Sequence, residues 1–146
     1  MIGGHIMNYD FGRASTIPSI FNDETRELQL PPDTVVEEIA VRRMKDMREL
    51  FRDSSDFEDE YPLYYMYNGI YRKAHKAIFK EQHIRYEYTI LMPQSIHGEM
   101  MKAHGHIHGI HPIKKTRHME AYEILQGTGF FELFTYKEQS IQVIML

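Results

Sequence analysis

Five of the chain's nine histidines fall within the seventeen residues HGHIHGIHPIKKTRHME, from His104 to Glu120, and the stretch closes on a glutamate. Imidazole nitrogens and carboxylate oxygens are natural ligands of a divalent metal, and with no cysteine in the chain no thiolate can share that task. If the stretch is a strand, side chains two residues apart face the same way, about 6 to 7 Å apart. His106 and His108 can then aim at one ion, and His104 shares their face. Glu120, arriving on the next strand, would be the third ligand, and open positions would be left for water or substrate, as in catalytic sites. The bland alternative is a decorated surface loop, because HxH alone recurs by chance. For His111 and His118, beside Lys114, Lys115 and Arg117, the solvated loop is the better account, although that basic trio also suits a phosphate. Arg42 and Arg43 leave a similar choice between surface ion pairs and an inward contact.

The elements that must position these residues can be read from periodicity. Residues 1–24 mix glycine, serine and proline with isolated apolar residues, and the segment 1–32 is expected to be an extended arm. After Pro31-Pro32, Asp33 or Thr34 could cap a helix through VVEEIAVRRMKDMRELF, where Val36, Ile39, Ala40, Met44, Met47 and Leu50 recur at helical spacing. A strand over part of that run is the competing reading. SSDFEDEYP, residues 54 to 62, is acidic and turn-rich and should be a solvated connection. YPLYYMYNGIY is aromatic and β-prone, with Asn68-Gly69 offering a turn, and HIRYEYTILMP alternates until Pro93 ends it. Seven of the ten tyrosines lie between Tyr61 and Tyr88 and are read as core or interface rather than as a sugar platform. AYEILQGTGFFELFTY and QSIQVIML are two further β-rich runs, divided by Gly127-Thr128-Gly129 and Lys137-Glu138-Gln139. Short strands with regular turns predict a small barrel or sandwich, preceded by a short helix.

Bulk properties bound the function. A chain of 146 residues with 42% hydrophobic and 26% charged residues is expected to form one domain over 1–146, the arm at 1–32 and a helix plus barrel at 33–146. No apolar run approaches the roughly 18 to 20 residues of a membrane span, and no secretory leader is evident. The expectation is a cytoplasmic protein without a membrane partner. A net charge of -4 and no basic stripe argue against nucleic acid. The apolar ending IQVIML would present an unsatisfied edge, so either a homodimer is expected or the chain stops before its architectural end.

Taken together, G-H-I-H at 105–108 and E-A-Y-E-I-L-Q-G at 120–127 resemble the first motif of the cupin superfamily, a double-stranded β-helix or jelly-roll barrel with a metal in its mouth. Residues 36 to 146 are more closely similar to the cupin-type glucose-6-phosphate isomerases. VRRMKDM at 41–47 resembles that family's VRR-x-x-DM, and YTILMP at 88–93 resembles a strand whose proline precedes the first metal histidine by thirteen residues, as Pro93 precedes His106. GEMMKAHGHIH at 98–108 and EAYEILQGTG at 120–129 follow in order.

The resemblance implies one divalent ion (Fe, Mn, Ni or Zn) held by His106, His108 and Glu120, with Glu120 also the catalytic base. It implies Thr89 and Gly105 at the phosphate of a sugar-phosphate substrate and Tyr122 lining the sugar pocket. The reaction would interconvert glucose 6-phosphate and fructose 6-phosphate, by proton transfer through an enediolate or by a hydride shift. Three departures stand out. Ala103 replaces a phosphate-binding threonine, leaving that contact to Lys102 or His104. The 109–119 segment is longer than the family's loop. No histidine follows His118, so the second cupin motif with its fourth ligand is expected beyond this chain, and the barrel is expected to be incomplete. On that account a shortened, non-catalytic cupin binding a sugar phosphate or another small anion is the alternative, and a cupin dioxygenase is a third reading.

Overall fold

The structure is a computed structural model and describes residues 8–12, 17–135 and 137–146. Mainly β with short helices, it divides into two compact units, Met1–Pro31 with Met119–Leu146, and Pro32–His118.

The second unit is built on one long antiparallel pair. β4 (Thr34–Arg43) runs against β5 (Pro62–Arg72), and β6 (Tyr88–Leu91) pairs with the other edge of β5. The helix expected from Val35 onward is therefore a strand as far as Arg43. Val35, Val36, Ile39 and Val41 are β-branched, stiff at χ1 and better suited to a pleated sheet than to a helix. Asp33 does not cap a helix: its carboxylate accepts from Arg72 Nε at 2.6 Å, closing the far end of the β4–β5 pair.

Helix appears only past Arg43. In α1 (Met44–Met47) Asp46 Oδ2 accepts the Arg43 N–H at 2.9 Å, and a single 3-10 turn continues over Arg48–Leu50. Met44 and Met47, three apart and so on one helical face, are both buried. With Phe51, Leu63, Tyr64 and Ile96 they form the core of this unit, and Phe57, Tyr61, Met66 and Met101 pack around it. Leu63 is fully buried because the partners of β4 jump from Tyr64 to Pro62 between Arg42 and Arg43, which leaves Leu63 as the extra residue of a bulge.

Asn68-Gly69 is not a turn. β5 passes straight through it, and Gly69 takes φ +64° where the Glu37 side chain lies close enough that a Cβ would meet its carboxylate oxygen at 2.5 Å. The burial of Tyr64, Tyr67, Tyr71 and Tyr88 agrees with the core reading of the aromatic strands. A short α2 (Lys76–Glu81) follows β5, and β7 (Ser95–Ile96) pairs with β8 (Glu99–Met100) after Pro93. The alternation from Ile84 yields a ladder only at Tyr88–Leu91.

In the first unit, the expected arm is a small meander in its described part: β1 (Asn8–Asp10), β2 (Ile20–Asn22) and β3 (Glu27–Gln29) pair in order. Ile17, Phe21 and Leu28 are its buried hydrophobic residues. The arm reading of residues 1–7 and 13–16 lies outside the described residues. β9 (Phe130–Thr135) and β10 (Ser140–Met145) form the hairpin that the terminal runs predicted, turning over the Lys137–Gln139 segment, where Gln139 has φ +47°. The extension of β9 to Tyr136 lies outside the described residues. Of the described residues, no helix is long and apolar enough to cross a membrane.

Candidate metal and substrate site

The segment 101–109 carries no strand ladder, so the histidines are not presented by strand alternation as the sequence suggested. Two of them nevertheless meet. His106 Nε2 and His108 Nε2 stand 3.0 Å apart, with ring centroids 4.6 Å apart. Two nitrogens bound to one ion at about 2.0 to 2.1 Å would be about 2.8 to 3.4 Å from each other for coordination angles between octahedral and tetrahedral. The pair therefore fits as two adjacent ligands. The same geometry makes an N–H···N hydrogen bond in which one ring donates to the other.

Hydrogen bonds on either side hold the segment. The Tyr64 hydroxyl accepts the His104 N–H at 3.2 Å, and the His108 carbonyl accepts from Arg117 Nη1 at 2.7 Å. Tyr64 sits in the core of the β5 sheet, so the chain entering the pair is tied to the best-packed part of this unit. The link joins residues forty apart, and no local pattern announces it.

Beneath the pair, the face of β4 and β5 that carries Glu38, Ala40, Arg42, Met66 and Asn68 lines a groove of about 510 Å³ together with His106 and His108. Thr89, opposite Met66 in the register, lies on this same sheet face. Gly105 has open space where a Cβ would stand, as close approach by a ligand requires.

His104 departs from the pair. It lines a separate cavity with Lys45, Asp46 and Arg48, and its Nδ1 donates to the Gly105 carbonyl at 2.6 Å. Lys102 is also committed elsewhere, donating to the Leu50 carbonyl and to Glu99 Oε2, each at 2.8 Å, with its ammonium 4.6 Å from the Phe51 ring centre. Those contacts hold the Glu99 carboxyl below its usual range, first through Lys102 and then through the Arg52 N–H.

The loop beyond His108 is exposed over most of its length but makes specific internal contacts. Ile110 and Arg117 form a bridge, and the His111 ring lies 5.1 Å from that of His83 and 5.0 Å from that of His118. His111 Nδ1 accepts the N–H groups of Ile113 and Lys114, each at 3.2 Å. Desolvation, then the neighbouring His118, His83 and Lys114, pushes His111 below the ordinary histidine value.

Glu120 and Tyr122 belong to the other unit. They lie on no strand, so the carboxylate is not delivered by a β-segment. Both are exposed, and the Tyr122 ring packs against Phe131 with centroids 4.7 Å apart.

Against known proteins, the family model described as Glucose-6-phosphate isomerase (GPI) matches residues 41–145. No curated protein and no solved structure gave a match. The matched span begins within the VRR segment of β4, takes in both facing histidines and Glu120, and extends to the end of β10, well over half of the chain. The mainly β architecture is consistent with the cupin fold of that family's metal-dependent type, and the chain belongs to the glucose-6-phosphate isomerase family.

Proposed function

We propose that this chain is a divalent-metal-dependent glucose-6-phosphate isomerase interconverting glucose 6-phosphate and fructose 6-phosphate. His106, His108 and Glu120 would hold the ion, which is Fe, Mn, Ni or Zn. Family membership supports the substrate class. The observation that carries the metal reading is the pair of imidazole nitrogens 3.0 Å apart. When bound, the ion supplies positive charge to the two oxygens on which negative charge develops during isomerisation.

The chain's own groups do the rest. Glu120 takes the proton from C2 of the open-chain aldose and returns it to C1, while the proton on O2 passes to O1. An aldehyde thereby becomes a ketone with no change in overall composition. Thr89 and Gly105 contact the phosphate, and Tyr122 lines the sugar pocket. The reading places the enzyme in the cytoplasm as a homodimer, for which a solution mass is the check.

Glu120→Gln removes the base while keeping the shape of the side chain. Turnover of fructose 6-phosphate should fall at least about a thousandfold, with the circular dichroism spectrum unchanged. Wild-type protein supplied in turn with each of the four metals and still inactive would end the enzyme reading. Sugar-phosphate binding by calorimetry in that same inactive protein would leave the non-catalytic cupin in its place.

A further inference from the structure

The VRR segment puts two arginines side by side, and strand alternation sends them to opposite fates. Arg43 is engaged structurally: its Nη1 donates to the Glu60 carbonyl at 2.9 Å and its Nε lies 3.3 Å from Glu60 Oε2. Arg42, on the other face, lines the groove that contains His106 and His108. The other Asp, Glu, Lys or Arg side chains of that lining each have a partner. Arg85 pairs with Glu87, and Glu38 Oε2 accepts from Asn68 Nδ2 at 3.1 Å. Among the described residues Arg42 forms no ion pair.

The segment just ahead of the histidine pair adds no further cation to this lining. Ala103 carries no hydroxyl, Lys102 is held by Leu50 and Glu99, and His104 faces another cavity. We infer that Arg42 is the anchor for the anionic end of the substrate, gripping a phosphate ester in the groove whose other functional group is the His106–His108 pair. The inference rests on the proposed isomerase reading for the identity of that ester and on the groove alone for the anion. A guanidinium presents a planar fork of N–H donors that matches two phosphate oxygens at once and keeps its charge at every relevant pH. Glu87 in the same lining is neutralised by Arg85, and Glu38, whose carboxylate accepts from the Asn68 amide, forms no ion pair with Arg42, so the guanidinium is open to a ligand.

The test compares wild type with Arg42→Gln and Arg42→Lys, all as the full chain. In the first arm, inorganic phosphate is titrated calorimetrically into chelator-treated protein. Arg42→Gln should weaken binding about 10- to 100-fold, and Arg42→Lys should lie between the two, because a point charge replaces the fork. In the second arm KM for fructose 6-phosphate should rise by a similar factor, with a smaller change in kcat. A third measurement needs no variant: phosphate should slow phenylglyoxal modification of Arg42 in the wild-type chain, read by mass spectrometry. Phosphate binding that depends on Arg42 in a protein without isomerase activity would remove the isomerase reading and keep the anchor. An active wild type whose Arg42→Gln variant keeps its KM and its phosphate affinity would remove the anchor and keep the isomerase. Wild-type protein that binds no phosphate, or whose Arg42 gains no protection from it, overturns the anchor as well.

Discussion

Arg48→Met tests whether one side chain fastens the acidic connection between α1 and β5. Arg48 Nη1 donates to the Ser54 carbonyl at 2.6 Å and lies 3.3 Å from the Ser54 hydroxyl, while Nη2 donates to the Phe57 carbonyl at 2.8 Å and to Asp59 Oδ1 at 2.7 Å. Those contacts span residues 54–59 and hold Phe57, which packs on the Met44–Leu63–Ile96 core. Methionine keeps the apolar stem and removes the fork. The Asp59 pair is open to solvent, with side-chain exposures of 36% and 69%, and contributes about 0.2 to 1 kcal/mol after screening. The two carbonyls lose charge-assisted partners. The Ser54 carbonyl keeps the Phe57 N–H at 3.1 Å and so loses about 1 kcal/mol, and the Phe57 carbonyl, left to water, loses a similar amount. The sum is about 2 to 3 kcal/mol. For a chain of this size that lowers Tm by about 5 to 10 °C. Thermal denaturation followed by far-UV circular dichroism reads the shift, and hydrogen exchange should quicken at residues 54–59 before it does in β5. Arg48→Lys, with one donor group in place of a fork, should recover less than half. A Tm within about a degree of wild type in Arg48→Met, on a 2 to 4 °C per kcal/mol scale, would refute the assignment and leave the connection held by Phe57 and Tyr61 packing alone.

Two other perturbations follow from the same coordinates. Gly69→Ala places a Cβ 2.9 Å from the Glu37 Cβ at a residue with φ +64°, so about 1 to 3 kcal/mol of stability should be lost. Glu37→Ala should restore little of it, because the backbone strain stays, and chemical denaturation of the single and double variants measures both terms. His111 is held below the ordinary value of 6.5 by desolvation first and then by His118, His83 and Lys114. The unfolded chain therefore binds more protons just below pH 6.5, and stability rises with pH there. The contribution is complete above that value and is lost as pH falls through it toward the folded-state value, where protonation also turns Nδ1 from acceptor to donor and breaks both bonds to the loop. Wild type should lose Tm faster than His111→Ala on going from about pH 7 to about pH 5. Parallel Tm profiles for the two proteins would contradict the assignment.

The histidine pair was legible in the sequence for a reason that did not hold in detail. Alternation in H-x-H predicted one face of a strand, yet the segment has no ladder, and the rings converge because Tyr64 and Arg117 fix the backbone at either side. Spacing in the sequence found the two rings that meet and misread what presents them. The helix over β4 failed differently. Val36, Ile39, Ala40 and Met44 satisfy a helical period, and the burial of β4 does not alternate cleanly, so the two periodicities compete on nearly equal terms. Its β-branched residues were the better signal. Tyrosines in β5 were legible as core, because aromatic residues at that density in a strand have few other places to go. The His83–His111–His118 contacts were not, since they depend on a loop closed by the Ile110–Arg117 bridge and on a segment that follows α2.

The division of labour between Arg42 and Arg43 shows why such a site resists reading from composition. Both residues are basic, adjacent and at the end of one strand, so no property of either separates them. Parity does: Arg42 shares its face with Glu38 and Ala40, and Arg43 takes the opposite one, where Glu60 meets it. The bulge at Leu63 falls at this same step, moving the partner of β4 from Tyr64 to Pro62 and letting the chain turn into α1 directly after Arg43. A one-residue slip of β4 would exchange the two roles, carrying Arg43 into the groove and leaving Glu60 opposite the wrong side chain. Register is pinned against that slip by the Asp33–Arg72 pair at one end and by the buried Leu63 and Met44 at the other. What reaches the groove beside His106 and His108 is thus settled by packing at both ends of β4 rather than by the chemistry of the arginines themselves.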